Sequence, residues 1–447
     1  MDMQSYFGVS TPSPLLSSSS TSVTTPDTDY SDDRISVNTV VEDASYIFVI
    51  GGLGYIGSHT VLALVNEGYN VVVVDDLSNS FSTVFDRIKL LAAEYCRANC
   101  RDLPLLRFYH LDYRSSSMRA LLWHYRARTI SDLTTLGGCR SMVAGVIHFA
   151  ALKSVSESLE KPLAYYQNNV GGLVDFLSTL QEFGIKRFVF SSSATVYGSL
   201  ANHGVPLREQ HCVHQTETYL DALGRERVAE SGVRGLTSPY GRTKWMCEAI
   251  LADVATADPS WQIAALRYFN PVGCHESGLL GEDPRQIPTN LFPVIIRVLA
   301  GAQPACNGAE TVLDGADPVL NIFGTDWGTS DGTAVRDFIH VADLARGHVA
   351  ALAALIRGTI EQPFRTFNLG TGQGHTVREV VDSMEKASLR QIPVRNAERR
   401  KGDVGSCVAE VQRARQELGW SAEKTLGECA STAWAFVINS EKAQPLE

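Results

Sequence analysis

The sequence predicts an α/β protein built on a doubly wound parallel sheet. One observation is a series of short apolar runs, YIFVI (46–50), VVVV (71–74), GVIHFA (145–150), RFVFSSS (187–193) and IAALRYFN (263–270), separated by amphipathic stretches. Runs this rich in β-branched and aromatic residues fit strands buried on both faces, and the stretches between them fit crossover helices. The second observation is the chemistry placed at the end of each run: Gly51, Asp75, Phe149 to Lys153, Ser193 and Asn270. In open α/β sheets the ligand crevice lies at the carboxyl ends of the strands, so these residues are the candidates for a site.

Residues 1–44 are rich in Ser, Thr, Pro and Asp, include Ser17 to Ser20 and show no apolar periodicity. Such a stretch cannot bury enough surface to offset chain entropy and is expected to be a disordered tail. Residues 45–270 carry the regular β/α alternation. Beyond Asn270 the pattern loosens into Pro- and Gly-rich turns such as GEDP (281–284) before a helix near 376–387. The expectation is a smaller C-terminal substrate-binding domain from 271–334 and 391–447, with about 335–390 returning to the first domain. Four stretches, roughly 86–104, 127–142, 200–236 and 302–318, are polar or Gly-rich and weakly periodic, and are read as surface insertions.

Composition narrows the function. The chain has 447 residues, 44% hydrophobic and 20% charged, with a formal net charge of −10. That balance offers neither nucleic acid nor anionic lipid the clustered cations they need, so a small molecule is the expected partner. Nine cysteines (Cys96, Cys100, Cys139, Cys212, Cys247, Cys274, Cys306, Cys407 and Cys429) form no CxxC pair and no zinc-spaced cluster, and read as reduced thiols. Cys96 and Cys100, four apart on an expected helix, leave a disulfide or metal reading as the alternative. The N-terminus has no Lys or Arg before Arg34, and no apolar run approaches the ~20 residues of a membrane helix, so a cytoplasmic protein is expected. A homodimer is compatible with these features.

The first run ends in Gly51-Gly52-Leu53-Gly54-Tyr55-Ile56-Gly57. Glycines there permit a tight turn, let backbone N–H groups approach a pyrophosphate and allow the next helix to pack close to the strand, as in a Rossmann-type dinucleotide site. Asp75 lies 18 residues after Gly57 at the end of the next strand, where a carboxylate accepts ribose hydroxyls and repels a 2′-phosphate. The expected cofactor is NAD. Asp112, in HLDYR, has two readings, an adenine-edge contact or a turn carboxylate.

Tyr240-Gly241-Arg242-Thr243-Lys244 is a YxxxK spacing, which on a helix puts both side chains on one face about 6 Å apart along the axis. A tyrosine that titrates near ~10 needs a shift of ~3 units, about 4 kcal/mol, to act as a base at neutral pH. Lys244 and a cationic nicotinamide could supply it, and Ser193 can hydrogen-bond the reacting oxygen beside Tyr240. The competing explanation is a surface aromatic beside a solvated lysine.

The motifs GGLGYIGSHT (51–60), IHFAALKSVSES (147–158), KPLAYYQNNV (161–170), FSSSATVYG (190–198), SPYGRTK (238–244), LRYFNPVG (266–273), GEDPRQIPTNLFP (281–293), DGTAVRDFIHVADLARGH (331–348) and FNLGTG (367–372) together resemble the UDP-glucose/UDP-galactose 4-epimerases, extended short-chain dehydrogenase/reductases. The resemblance spans about Tyr46 to Trp434. It implies Ser193, Tyr240 and Lys244 as the catalytic trio. It implies an NAD site lined by Gly54, Tyr55, Ile56, Asp75, Asn79, Ser80, Asp112, Phe149, Lys153, Asn168 and Tyr268. It further implies that Asn270, Asn290, Leu291, Arg336, Arg400 and Asp403, with Lys153, Ser193 and Cys407, hold a UDP-hexose, the two arginines presenting forked donors to its diphosphate. The implied reaction oxidises C4 to a ketone, lets the sugar turn, and returns hydride to the other face.

The chain departs from the family pattern at Ile50, Ala151, Phe338 and Lys401, none of which removes a catalytic group. Cys407 falls where a bulky Tyr tends to exclude N-acetylated sugars, so acceptance of UDP-GlcNAc and UDP-GalNAc is an expectation. A sugar-nucleotide dehydratase on the same scaffold would need an acidic pair where Ala194 and Thr195 stand. A non-catalytic NAD- or UDP-sugar-sensing protein is the other alternative, with the 200–236 insertion as an obstacle to substrate.

Overall fold

The runs of β-branched residues form strands where the sequence places them, because each is buried on both sides. Tyr46–Ile50 (β1) and Arg187–Ser193 (β5) coincide with the expected runs to the residue. Asn70–Asp75 (β2), Leu106–His110 (β3), Val143–His148 (β4), Gln262–Tyr268 (β8) and Phe364–Leu369 (β13) complete a seven-stranded parallel sheet in the order β13-β8-β5-β4-β1-β2-β3. The computed structural model describes residues 44–126, 141–221, 223–283, 285, 288–301, 318–400 and 402–443. The expected tail, nearly all of the 127–142 and 302–318 insertions, Cys139, Cys306 and Lys401 lie outside those residues. The described residues belong to one compact unit, Glu42–Glu447.

The sheet is doubly wound. From β1 the chain moves outward through β2 and β3, then returns to place β4 on the other side of β1 and continues through β5, β8 and β13. The switch point therefore lies between β1 and β4, and a crevice opens there. One face packs an aliphatic core, in which Ile47, Val49, Val73, Ile147, Val189 and Leu266 meet Leu344, Leu352 and Leu355 of the helix Val341–Arg357. The other face is aromatic, with Tyr46, Phe48 and Tyr125 in edge-on contact and Phe176, Phe188 and Phe190 grouped around His148.

Smaller sheets build the rest. Asn270–Val272 (β9) pairs in parallel with Phe338–His340 (β12), Leu320–Phe323 (β10) with Val394–Ala397 (β15), and Val335–Arg336 (β11) lies between His375–Thr376 (β14) and Ser406–Cys407 (β16). A second core of Phe292, Ile295, Leu320, Phe338, Met384 and Trp434 sits beneath them.

Two insertions take definite form. Residues 86–104 are mostly not a surface excursion: Thr83–Ala98 is a sixteen-residue helix that buries Val84, Ile88, Leu91, Ala92 and Cys96. Cys100 lies beyond its end, exposed and at φ +50°, and both thiols are free. Within 200–236, Glu217–Leu220 (β6) and Glu226–Ala229 (β7) form an antiparallel hairpin.

Candidate active site

At the switch point lies a cavity of about 840 Å³, lined by residues of the large sheet and of the smaller ones. Its floor is the turn after β1. Gly51 has φ +74°, and a Cβ there would meet the backbone nitrogen of Ala150 at 2.8 Å; a Cβ on Gly57 would meet the Gly51 carbonyl oxygen at 2.3 Å. Glycine is required at both, for the turn and for the close approach of the helix Tyr55–Asn66. That helix begins at Gly54 with no side-chain cap, so its first N–H groups face the cavity as an anion site. Gly52 does not line the cavity. Its Cβ would strike the side chains of Val73 and Val49, so its role is packing.

Asp75 ends β2 at the cavity wall. Its carboxylate accepts from Leu53 N (2.9 Å), Leu77 N (3.0 Å) and Ser80 Oγ (2.8 Å). Burial raises its pKa, and these three donors oppose the rise. The fixed carboxylate beside the glycine turn and the open helix N-terminus together fit a dinucleotide. Tyr55, Ile56, Asn79, Ser80, Phe149, Lys153, Asn168 and Tyr268 line the same cavity. Asp112 is not among the lining residues; it accepts Arg114 N at 2.9 Å and the Arg114 guanidinium. Arg114 lines the cavity instead and donates to Asn168 Oδ1 at 2.7 Å.

The Tyr240 helix, Pro239–Ala257, starts where local chemistry dictates. Ser238 accepts from Gly241 N at 3.1 Å as N-cap, and Pro239 takes the first helical position, where no N–H is needed. Tyr240 and Lys244 lie one turn apart on it, both buried, with Ser193 at the end of β5 facing them. Burial pushes the Tyr240 phenol above its ordinary value; Tyr268 adds to the rise and the Ser193 hydroxyl opposes it. Burial likewise brings the Lys244 ammonium down to about 8. Lys244 Nζ donates to Ser191 O at 2.6 Å and lies 5.9 Å from the Tyr240 ring centre. At the phenol, burial outweighs the neighbouring side chains, and the expectation joins Lys244 with a cationic nicotinamide. A second positive charge beside the ring is needed.

Across the cavity are Asn270, Asn290, Leu291, Arg336, Arg400, Asp403 and Cys407. Asp403 pairs with Arg336 (2.5 Å) and Arg400 (3.3 Å), holding two guanidinium groups side by side. Asn270 donates through Nδ2 to Asp337 O at 2.9 Å. Asn290 precedes the helix Leu291–Leu299 without capping it, which leaves its amide free of that duty. Arg336 and Cys407 are register partners across β11 and β16.

Several contributors escape a reading of the sequence. Asn169, in a π-helical turn over Tyr166–Gly171, holds Leu152 by two hydrogen bonds and so fixes the loop after β4 just before Lys153. Asp337 accepts from Thr371, Gly372 and Ala409, tying three loops together. Beneath Lys244, Glu248 is sealed from solvent and bonded by Arg267, Ser192 and His214. The NNV, RDF and GTG motifs carry a signal for the first two. Of the described residues of the 200–236 insertion, Ala201 lines the cavity, and the hairpin β6–β7 does not.

The NAD dependent epimerase/dehydratase family profile matches residues 47–370. The UDP-glucose 4-epimerase of Dictyostelium discoideum is 39% identical over 390 residues, 87% of this chain and 95% of that protein. The UDP-glucose 4-epimerase of Bacillus subtilis is 40% identical over 390 residues, 87% and 96% of the two chains. The structure is similar to UDP-glucose 4-epimerase from Bifidobacterium longum in complex with NAD+ and UDP, at a TM-score of 0.69 and 36% identity, covering 90% of this chain and all of that one. It is also similar to the UDP-Glc/GlcNAc 4-epimerase of Campylobacter jejuni, at a TM-score of 0.62 and 28% identity, covering 89% of this chain and all of that one. With a cavity of this construction and relatives of this extent, the chain belongs to the NAD dependent epimerase/dehydratase family.

Proposed function

We infer that this protein is an NAD-dependent isomerase that interconverts UDP-glucose and UDP-galactose at C4. The observation that carries the reading is the meeting in one cavity of Ser193, Tyr240 and Lys244 with the glycine cradle on one side and the paired arginines on the other.

The residues divide the work. Arg336 and Arg400 hold the diphosphate by forked, charge-assisted hydrogen bonds, with Asp403 fixing their orientation before substrate arrives. Asn270 and Asn290 offer amides to the sugar and the nucleotide. The glycine turn and Asp75 would hold NAD, which would supply a positive ring beside Tyr240 and a hydride acceptor for C4. Tyr240 takes the proton of the C4 hydroxyl and gives it back, Ser193 holds that oxygen, and Lys244 favours the phenolate. With the diphosphate anchored by the arginines, the sugar could turn about it without leaving the site, so that the reaction would end with no net oxidation.

In this reading residues 45–270 with about 335–390 hold the dinucleotide, and 271–334 with 391–447 hold the UDP-sugar; β13, contributed from 364–369, supports the first assignment. The small side chain of Cys407 at the cavity wall supports acceptance of N-acetylated substrates as well. A homodimer is supported by the exposed apolar side chains Val155, Leu159 and Leu163 on short helices packed against the Tyr240 helix, and Met246 on that helix. A cytoplasmic location is supported by free thiols, and among the described residues no helix is long and apolar enough to cross a membrane.

Incubating the purified protein with UDP-galactose and separating the products tests the function. UDP-glucose of unchanged mass is the expected product; a product lighter by one water would instead mark a dehydratase, and bound NAD without turnover a sensor.

A further inference from the structure

Between the smaller sheets and the loop after β2 runs a short strap, residues 279–283, with Arg285 two positions further along the chain. Its near end is fixed. Leu280 is buried, its carbonyl oxygen lies 3.1 Å from His59 Nε2, and Arg87 Nη1 donates to Leu279 O at 3.4 Å. Gly281 presses on the Phe436 ring, where a Cβ would come within 2.7 Å.

The far end is latched across the cavity. Glu282, with its side chain 14% exposed, pairs with Lys153 at 3.4 Å. Arg285 Nε donates to Ser80 O at 2.8 Å, and its guanidinium lies 4.3 Å above the centre of the Phe81 ring. Gly281, Glu282 and Asp283 line the same cavity as Asp75, Ser78, Asn79 and Ser80, so the strap and the Asp75 loop face each other across it. The latch also reaches the carboxylate: Ser80, whose carbonyl Arg285 holds, donates its hydroxyl to Asp75.

We propose that Arg285 and Glu282 latch this strap over the adenosine end of the cavity and thereby set the rate at which the dinucleotide leaves. The proposal rests on the reading of the cavity as an NAD site. A cofactor that must survive a complete cycle of oxidation and reduction has to stay longer than one turnover. Contacts made across the mouth rather than to the ligand lengthen that residence by slowing dissociation. Cation–π stacking of Arg285 on Phe81 and its hydrogen bond to Ser80 act together, because one planar guanidinium makes both. Lysine in its place keeps the charge and loses the flat donor fork.

The test uses the full chain loaded with isotopically labelled NAD, chased with excess unlabelled NAD and desalted at intervals. Arg285→Ala is expected to release label at least tenfold faster than the wild type, with Arg285→Lys between them, while the far-ultraviolet circular dichroism spectrum is unchanged. Equal retention in Arg285→Ala and wild type overturns the strap. Should Arg285→Ala fail to fold, Glu282→Gln carries the same test, with release faster by several-fold expected and unchanged release overturning the proposal. A wild type that takes up no label at all sinks the NAD reading itself, an outcome distinct from either.

Discussion

Lys244 stands 5.9 Å from the centre of the Tyr240 ring and directs its hydrogen bond elsewhere, to the carbonyl oxygen of Ser191 at 2.6 Å. It therefore acts on the phenol by its field, and that field exists only while the amine is protonated. Burial lowers the ammonium to about 8, so turnover is expected to fall as pH rises through that value. A pH profile of kcat under saturating substrate checks this. Lys244→Met should remove the alkaline limb and lower kcat by about 10²-fold or more, the usual scale for losing part of a proton-transfer device.

Cys407 faces the cavity from β16, beside the Arg336 that we assign to the diphosphate. Cys407→Tyr adds an aromatic ring where an acetamido group would lie. The expectation is a drop of tenfold or more in kcat/KM for UDP-GalNAc with UDP-galactose changed by less than threefold. A parallel assay of both substrates decides it, and equal losses would refute the assignment.

Glu248 carries the cost of a buried charge. Burial opposes its ionisation, but Arg267 beside it and the hydrogen bonds from His214 and Arg267 hold its pKa down at about 2. Its folded pKa is depressed, so the stability it contributes is present above about 4.5 and is lost as pH falls toward 2. Glu248→Gln leaves the Arg267 charge uncompensated and fully buried, and should destabilise the fold by about 3–5 kcal/mol at neutral pH. Denaturant titration measures it.

His148 and His348 are buried with Nε2 unbonded in both. Burial pushes His148 down to about 3, aided by Lys244, and His348 down to about 4. The unfolded chain takes up these protons below about 6.5 while the folded chain refuses them, so stability is lost as pH falls through that window. At one unit below 6.5 the two together cost roughly 3 kcal/mol. His348→Leu should flatten the decline between pH 6.5 and 5, as read by urea midpoints across that range.

What the sequence reveals tracks how local the cause is. β1 and β5 are legible to the residue because continuous apolar runs have no other stable use in a doubly wound sheet. The glycine turn is legible because its steric demands fall within seven residues. The helix Thr83–Ala98 is expected only around Cys96, and its buried face of Val84, Ile88, Leu91 and Ala92 escapes, since its polar majority masks a single buried stripe. The two- to four-residue strands β9 to β12 and β14 to β16 have no such stripe. They exist through their pairing, which no local pattern encodes. Asp112 bonds its own neighbour Arg114, a local contact that the HLDYR run allows but does not require. The Arg267–Glu248–His214 cluster joins β8, the Tyr240 helix and an insertion, so only the fold assembles it.

The central claim is that the Tyr240 oxygen moves the proton at C4. The direct measurement is the rate of UDP-galactose to UDP-glucose conversion by Tyr240→Phe, with bound NAD quantified in the same sample. A loss of at least about 10²-fold with cofactor occupancy preserved is the predicted result; conversion at the wild-type rate would contradict the account.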